Sequence, residues 1–133
     1  MMNILLQSTD SALINRVASL DGNIKVIDKS IKFEQMSELG KDAEVLLLDF
    51  LPTESVVALD LPVIVLATGY DKFDEFEAAK LGVTGYISSA VAMEQIQNAV
   101  TCVVAGQVWM SRETIAKVFD GFSKMIEDIQ KAG

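Results

Sequence analysis

The 133-residue sequence contains no histidine. That excludes histidine-based catalytic triads, most zinc sites and a histidine phosphodonor. A single cysteine, Cys102, excludes an internal disulfide framework and fits a reducing, cytoplasmic setting. Lying among Val100, Val103 and Val104, it reads as a small buried hydrophobe rather than a reactive thiol. Basic residues are scarce, 11 against 19 acidic ones, for a net charge of −8. This speaks against nucleic-acid binding by these residues, because phosphate contacts need a basic face. Although 50% of the residues are apolar, no uninterrupted apolar run approaches the ~20 residues of a membrane span. The start, Met1-Met2-Asn3-Ile4, lacks a basic n-region and a cleavage site, so no signal peptide is expected. Internal repeats, low-complexity tracts and linkers are also missing before the last segment.

What is present is organised around Glu44-Val-Leu-Leu-Leu-Asp49. Four apolar residues without polar alternation describe a strand buried on both faces, the central strand of a parallel sheet covered by helices. Asp49 then stands at its carboxyl end, where open α/β sheets place ligands and chemistry.

The other segments fall into place around this strand. Asn3 to Gln7 reads as a first strand, and Asp10 or Ser11 caps a helix carrying Leu13, Ile14, Val17 and Leu20 on one face. Asp21-Gly22 turns the chain into a second strand, Ile24 to Asp28. Ser30 caps a helix with Ile31, Phe33 and Met36, closed by Gly40. After Asp49, Pro52 marks a loop and a weak helix is expected near Thr53 to Leu59. Pro62-Val-Ile-Val-Leu-Ala67 is a fourth strand. Gly69 and Asp71 lead into a helix ending near Lys80 and Gly82, and Val83 to Ile87 is a fifth strand. Met93, Ile96, Val100 and Val103 mark a further helix closed by Gly106. Five βα units in succession predict a parallel sheet with right-handed crossovers.

From Glu113 onward the pattern changes. Ile115, Val118, Phe119, Phe122, Met125, Ile126 and Ile129 form the apolar stripe of an amphipathic helix, with Ser111 as its cap. Either the stripe folds back on its own domain or it contacts a second copy. Gly121, within the stripe, costs about 1 kcal/mol relative to Ala or permits a close approach.

Leu-Leu-Leu-Asp49, Pro62-Val-Ile-Val-Leu, Leu81-Gly-Val-Thr-Gly-Tyr86 and Ala105-Gly-Gln-Val-Trp-Met-Ser-Arg112 together resemble a response-regulator receiver domain. The similarity covers about residues 3 to 120 and is nearest to the receivers of LuxR/NarL-type transcription regulators. The resemblance implies an α/β fold, the CheY-like (flavodoxin-like) doubly wound (βα)5 sheet of five parallel strands with an extra sixth helix. Residues 1–110 would form the receiver-like domain and 111–133 the added helix. It also implies a signalling module rather than an enzyme. DNA would be contacted only through a helix-turn-helix domain that is not among these residues.

The family's chemistry is phosphoryl transfer from a histidine kinase to an aspartate. It uses Mg²⁺ held by an acidic pair, a hydroxyl after the fourth strand and a lysine after the fifth, which neutralise developing charge. Asp49 matches the acceptor and Tyr86 the switch aromatic. The acidic pair matches Ser8 and Thr9, which are neutral, while Asp10 is better placed to cap a helix. The hydroxyl position falls on Ala67, with Thr68 adjacent, and the lysine position on Ser89. No metal site and no firm cofactor are therefore expected, and the chain reads as a degenerate receiver.

Trp109-Met110-Ser111-Arg112 resembles the W-[FLM]-[ST]-R motif of VpsT-type regulators, which bind cyclic di-GMP at the base of a sixth helix and dimerise through it. The resemblance implies that Trp109 and Met110 form an apolar floor, Ser111 bonds a phosphate and Arg112 stacks on a guanine. A helix N-terminus suits a phosphate and a guanidinium suits a guanine face or edge. Equally, Trp109 could seal the core, Met110 fill a gap, Ser111 act only as a cap and Arg112 stay solvated.

Overall fold

The computed structural model describes residues 2–32, 35 and 42–118. Five strands form one sheet: β1 (Asn3–Gln7), β2 (Asn23–Ile27), β3 (Val45–Leu48), β4 (Val63–Ala67) and β5 (Gly85–Ser88). All neighbours are parallel and the spatial order is β2-β1-β3-β4-β5. This is the flavodoxin-like order, whose crevice opens where the winding reverses, between β1 and β3.

The inner strands β1, β3 and β4 are apolar on both sides because both sides are covered, whereas the edge strand β2 leaves Asn23, Lys25 and Val26 exposed. Val45 and Leu47 join Ile4, Leu6, Leu13, Val17, Ile96 and Val100 in one core. Leu46 and Leu48 join Leu5, Val63, Val65, Ala78 and Tyr86 in the other. The first layer holds α1 (Ser11–Val17) and α3 (Met93–Val104), the second α2 (Lys72–Lys80).

The helix ends follow local chemistry. Asp10 caps α1, accepting from the amides of Ala12 at 3.0 Å and Leu13 at 3.3 Å, which decides between Asp10 and Ser11. Asp71 caps α2 through the Asp74 amide at 2.9 Å. At the close of α3 the Gly106 amide reaches the Val103 carbonyl and Gln107 that of Cys102. Gly106, at φ +90°, takes the left-handed position this closure needs.

One expectation is corrected. Instead of a helix from Thr53 to Leu59 there is only a 3-10 turn, Val57–Leu59. The Val56 amide is committed to the Leu81 carbonyl at 2.8 Å, and the β-branched pair Val56-Val57 weakens helix propensity. The helix expected after Ser30 and the apolar stripe from Phe119 onward lie outside the described residues, apart from isolated positions. The start of the last helix, α4, is described over 112–118. Among the described residues, no helix is long and apolar enough to cross a membrane.

A single bridge at Trp109 extends the sheet beyond β5. Trp109 forms a parallel bridge with Gly85, its amide donating to Thr84 at 2.9 Å and its carbonyl accepting from Tyr86 at 3.0 Å. The bridge fixes where the Trp109–Arg112 stretch sits. Gly85 is required by packing, since a Cβ there would lie 2.8 Å from Ile64 Cγ1.

Candidate functional site

The carboxyl ends of parallel strands all open on one side, so the residues following β1, β2 and β3 meet there. Asp49, directly after β3, is nearly sealed, its side chain 8% exposed. The Ser8 hydroxyl donates to Asp49 Oδ2 at 2.6 Å and accepts from the Asp10 amide at 3.0 Å. Lys29 Nζ, reaching over from the end of β2, lies 3.0 Å from Oδ1. That contact is a charge pair rather than an aligned hydrogen bond, because Oδ1 has no hydrogen-bond partner.

Three of the four other positions that the resemblance singles out lie beside this carboxylate. Ala67, Thr68 and Tyr86 line a small cavity of about 180 Å³ beside Asp49, together with Asp74. Ser89 is held through its backbone, donating to the Ala67 carbonyl at 2.6 Å while its own carbonyl accepts from Arg16. A second Arg16 nitrogen donates to the Val91 carbonyl at 2.9 Å. Thus α1 grips the loop that follows β5. Tyr86 is buried, its ring 5.8 Å edge-on from Tyr70. Burial pushes its hydroxyl pKa up, against the Asp71 amide that the same oxygen accepts. Among the described residues no cluster of three or more His, Cys, Asp or Glu could hold a metal.

The second region is the stretch from Trp109 to Arg112. Trp109 packs toward the α1/α3 core and Met110 toward the α2 core, an alternation inherited from the bridge to β5. Trp109, Met110, Ser111 and Arg112 line a cleft of about 880 Å³, walled also by Tyr70, Val91 and Gln95. Arg112 is exposed and Ser111 caps α4, its hydroxyl accepting the Thr114 amide at 3.3 Å.

The floor of the cleft holds a residue that the sequence pattern does not single out. Glu75 on α2 is 1% exposed. It accepts from the Ser111 amide at 3.1 Å, the Ser111 hydroxyl at 2.5 Å, the Tyr70 hydroxyl at 2.9 Å and the Thr114 hydroxyl. Burial pushes its carboxyl pKa up, but the Ser111, Thr114 and Tyr70 donors outweigh that and hold it below the ordinary carboxylate value. A carboxylate of the protein itself thus sits where α4 begins.

Lys29, Arg16 and Glu75 escaped the sequence reading. Lys29 alone had a usable signal: it follows a strand that a 2-1-3 order places at the same sheet end as Asp49.

No protein-family model matches the sequence, and no curated protein matches it. Solved structures do. The signal receiver domain of the response regulator NarL from Mycobacterium tuberculosis superposes with a TM-score of 0.60 at 18% identity, covering 80% of this chain and 98% of that one. A LuxR-family two-component response regulator from Aurantimonas gives 0.60 at 12% identity, with 91% and 97% covered. A LuxR-family DNA-binding response regulator from Silicibacter pomeroyi gives 0.56 at 16%, with 85% and 99% covered. At these identities the similarity is one of architecture: the chain has the fold of response-regulator receiver domains.

Proposed function

We propose that this chain is the signalling and dimerisation module of a LuxR-type regulator, no longer run by phosphoryl transfer and controlled instead by cyclic di-GMP. One observation carries the reading: Trp109, Met110 and Arg112 converge on a single cleft of about 880 Å³, roomy enough for a purine base. The exposed Arg112 guanidinium is free to stack on a guanine or pair with its edge. Support also comes from Asp49, whose two oxygens are already engaged by Ser8 and Lys29. A homodimer fits the exposure of Ile115 and Val118, because α4 turns Thr114, not these apolar residues, toward α2. DNA contact would come through a further domain.

The test is calorimetric titration of cyclic di-GMP with sedimentation velocity on the same samples, beside Arg112→Ala. Low-micromolar binding with dimer formation, both lost in the variant, supports the reading. Absence of binding and an unchanged association state would end it.

A second reading, a ligand-independent dimerisation scaffold, is favoured by Glu75. Its carboxylate already uses the Ser111 amide and hydroxyl that a ligand phosphate would need. Constitutive dimers indifferent to nucleotide and to Arg112→Ala would establish it. The phosphoacceptor alternative, with a histidine kinase as partner, requires Asp49 to leave Ser8 and Lys29. Tight Mg²⁺-dependent beryllofluoride binding that needs Asp49 would support it.

A further inference from the structure

The Mg²⁺ implied by the fold family does not fit the residues present. Ser8 and Thr9 are neutral, Asp10 is turned to capping α1, its Oδ1 accepting two α1 amides, and the charged group paired with Asp49 is itself a cation. Mg²⁺ demands hard oxygen ligands in near-octahedral array, and Asp49 alone would have to anchor it. We infer that Lys29 is a resident cation that takes the place of the metal, neutralising Asp49 permanently and excluding divalent ions from the crevice. The inference rests on the reading of Asp49 as a sealed acceptor.

The placement of Lys29 is built, not incidental. Gln7, the last residue of β1 and 1% exposed, donates from Nε2 to the carbonyls of Asp28 at 3.1 Å and Ile31 at 2.8 Å. These two carbonyls bracket Lys29-Ser30, so one buried side chain folds the end of β2 over the crevice. The Asp28 carboxylate accepts the Ser30 amide at 2.8 Å and tightens the same turn. Phe50 borders the Lys29 ammonium, which lies 5.8 Å from the ring centroid. With the ammonium 3.0 Å from Oδ1 and the Ser8 hydroxyl 2.6 Å from Oδ2, an approaching dication meets one oxygen already paired with positive charge and the other already hydrogen-bonded.

The experiment uses the full chain, with calorimetric titration of Mg²⁺ and thermal unfolding of wild type, Lys29→Met, Asp49→Asn, the double variant and Lys29→Arg. The expected result is no saturable Mg²⁺ binding to wild type. Lys29→Met should lower Tm by about 5 °C, since it strands a buried carboxylate. Adding Asp49→Asn should restore most of that loss, and Lys29→Arg, which keeps the charge, should stay near wild type. Saturable Mg²⁺ binding that Asp49→Asn abolishes would overturn the role of Lys29. So would strictly additive effects of the two substitutions, because an incidental surface lysine has no coupling to Asp49. Acetyl phosphate labelling of wild-type Asp49 would sink the sealed-acceptor reading beneath it.

Discussion

The carboxylate of Glu75 accepts both the amide and the hydroxyl of Ser111, at 3.1 and 2.5 Å, so α2 caps the first turn of α4. An anion at a helix N-terminus meets unsatisfied amides and the positive end of the helix dipole, and burial strengthens both. The protein supplies that anion itself.

Glu75→Ala should therefore loosen α4 from the domain. It strands the hydroxyls of Ser111, Thr114 and Tyr70, and a cost of about 2 kcal/mol is expected from lost charge-assisted bonds. Urea unfolding measures the loss, and hydrogen exchange at the Thr114 and Ile115 amides should rise with it. A variant as stable as wild type would mean that α4 is held by other contacts.

The same group sets an acid dependence. Its folded pKa lies below the ordinary 4.5, so the unfolded chain binds the proton more readily. The contribution of Glu75 is thus fully present above about pH 4.5 and disappears as pH falls through the folded value. Urea midpoints recorded on either side of that window should differ less in Glu75→Gln than in wild type.

Arg16 makes a different kind of tie, joining α1 to the carbonyls of Ser89 and Val91. A lysine ammonium is a point donor and cannot reproduce a planar fork across two carbonyls. Arg16→Lys is expected to cost about 1 kcal/mol and to speed amide exchange at Ala90 and Val91. Unchanged exchange would show that the loop holds itself.

Gly85→Ala tests the close approach of β4 and β5. The added methyl meets Ile64 Cγ1 at 2.8 Å inside a core with no slack. Overpacking should destabilise by about 1–3 kcal/mol, read as a lower Tm.

Ile115→Ser together with Val118→Ser tests the outward face of α4. Both residues are exposed, at 43% and 39%, so the monomer fold should change by no more than about 0.5 kcal/mol. Any dimer resting on that face should dissociate in sedimentation velocity. Dimers that survive would place the interface elsewhere.

Strands β1, β3 and β4 were legible because each is a short apolar run buried on both faces, which leaves no competing helical period. By contrast β2, with Asn23, Lys25 and Val26 exposed, was legible from Asp21-Gly22 before it and Asp28 after it. Helix ends were legible where one residue decides them, as at Gly106, while the start of α1 was narrowed only to Asp10 or Ser11. The turn near Val57 was not, because the Val56 amide is captured by the Leu81 carbonyl from far along the chain. The site divides the same way. Asp49 and the stretch from Trp109 to Arg112 announce themselves by position and composition. Lys29 and Glu75 matter only through what the topology brings to them. Glu75 stands between Asp74 and Phe76 in a charged helix, with nothing in its neighbours to mark burial; Tyr70, Ser111 and Thr114 converge on it from two other segments.

The bridge between Trp109 and Gly85 has a practical consequence. Trp109 is the sole tryptophan of the chain, fixed by its backbone to the edge of β5 while its indole borders the cleft. Its emission therefore originates from one known place, so an unlabelled sample carries its own optical gauge of the cleft. A base stacking there, or α4 moving off Glu75, would register in that signal, whereas an event confined to the far edge at β2 would leave it still.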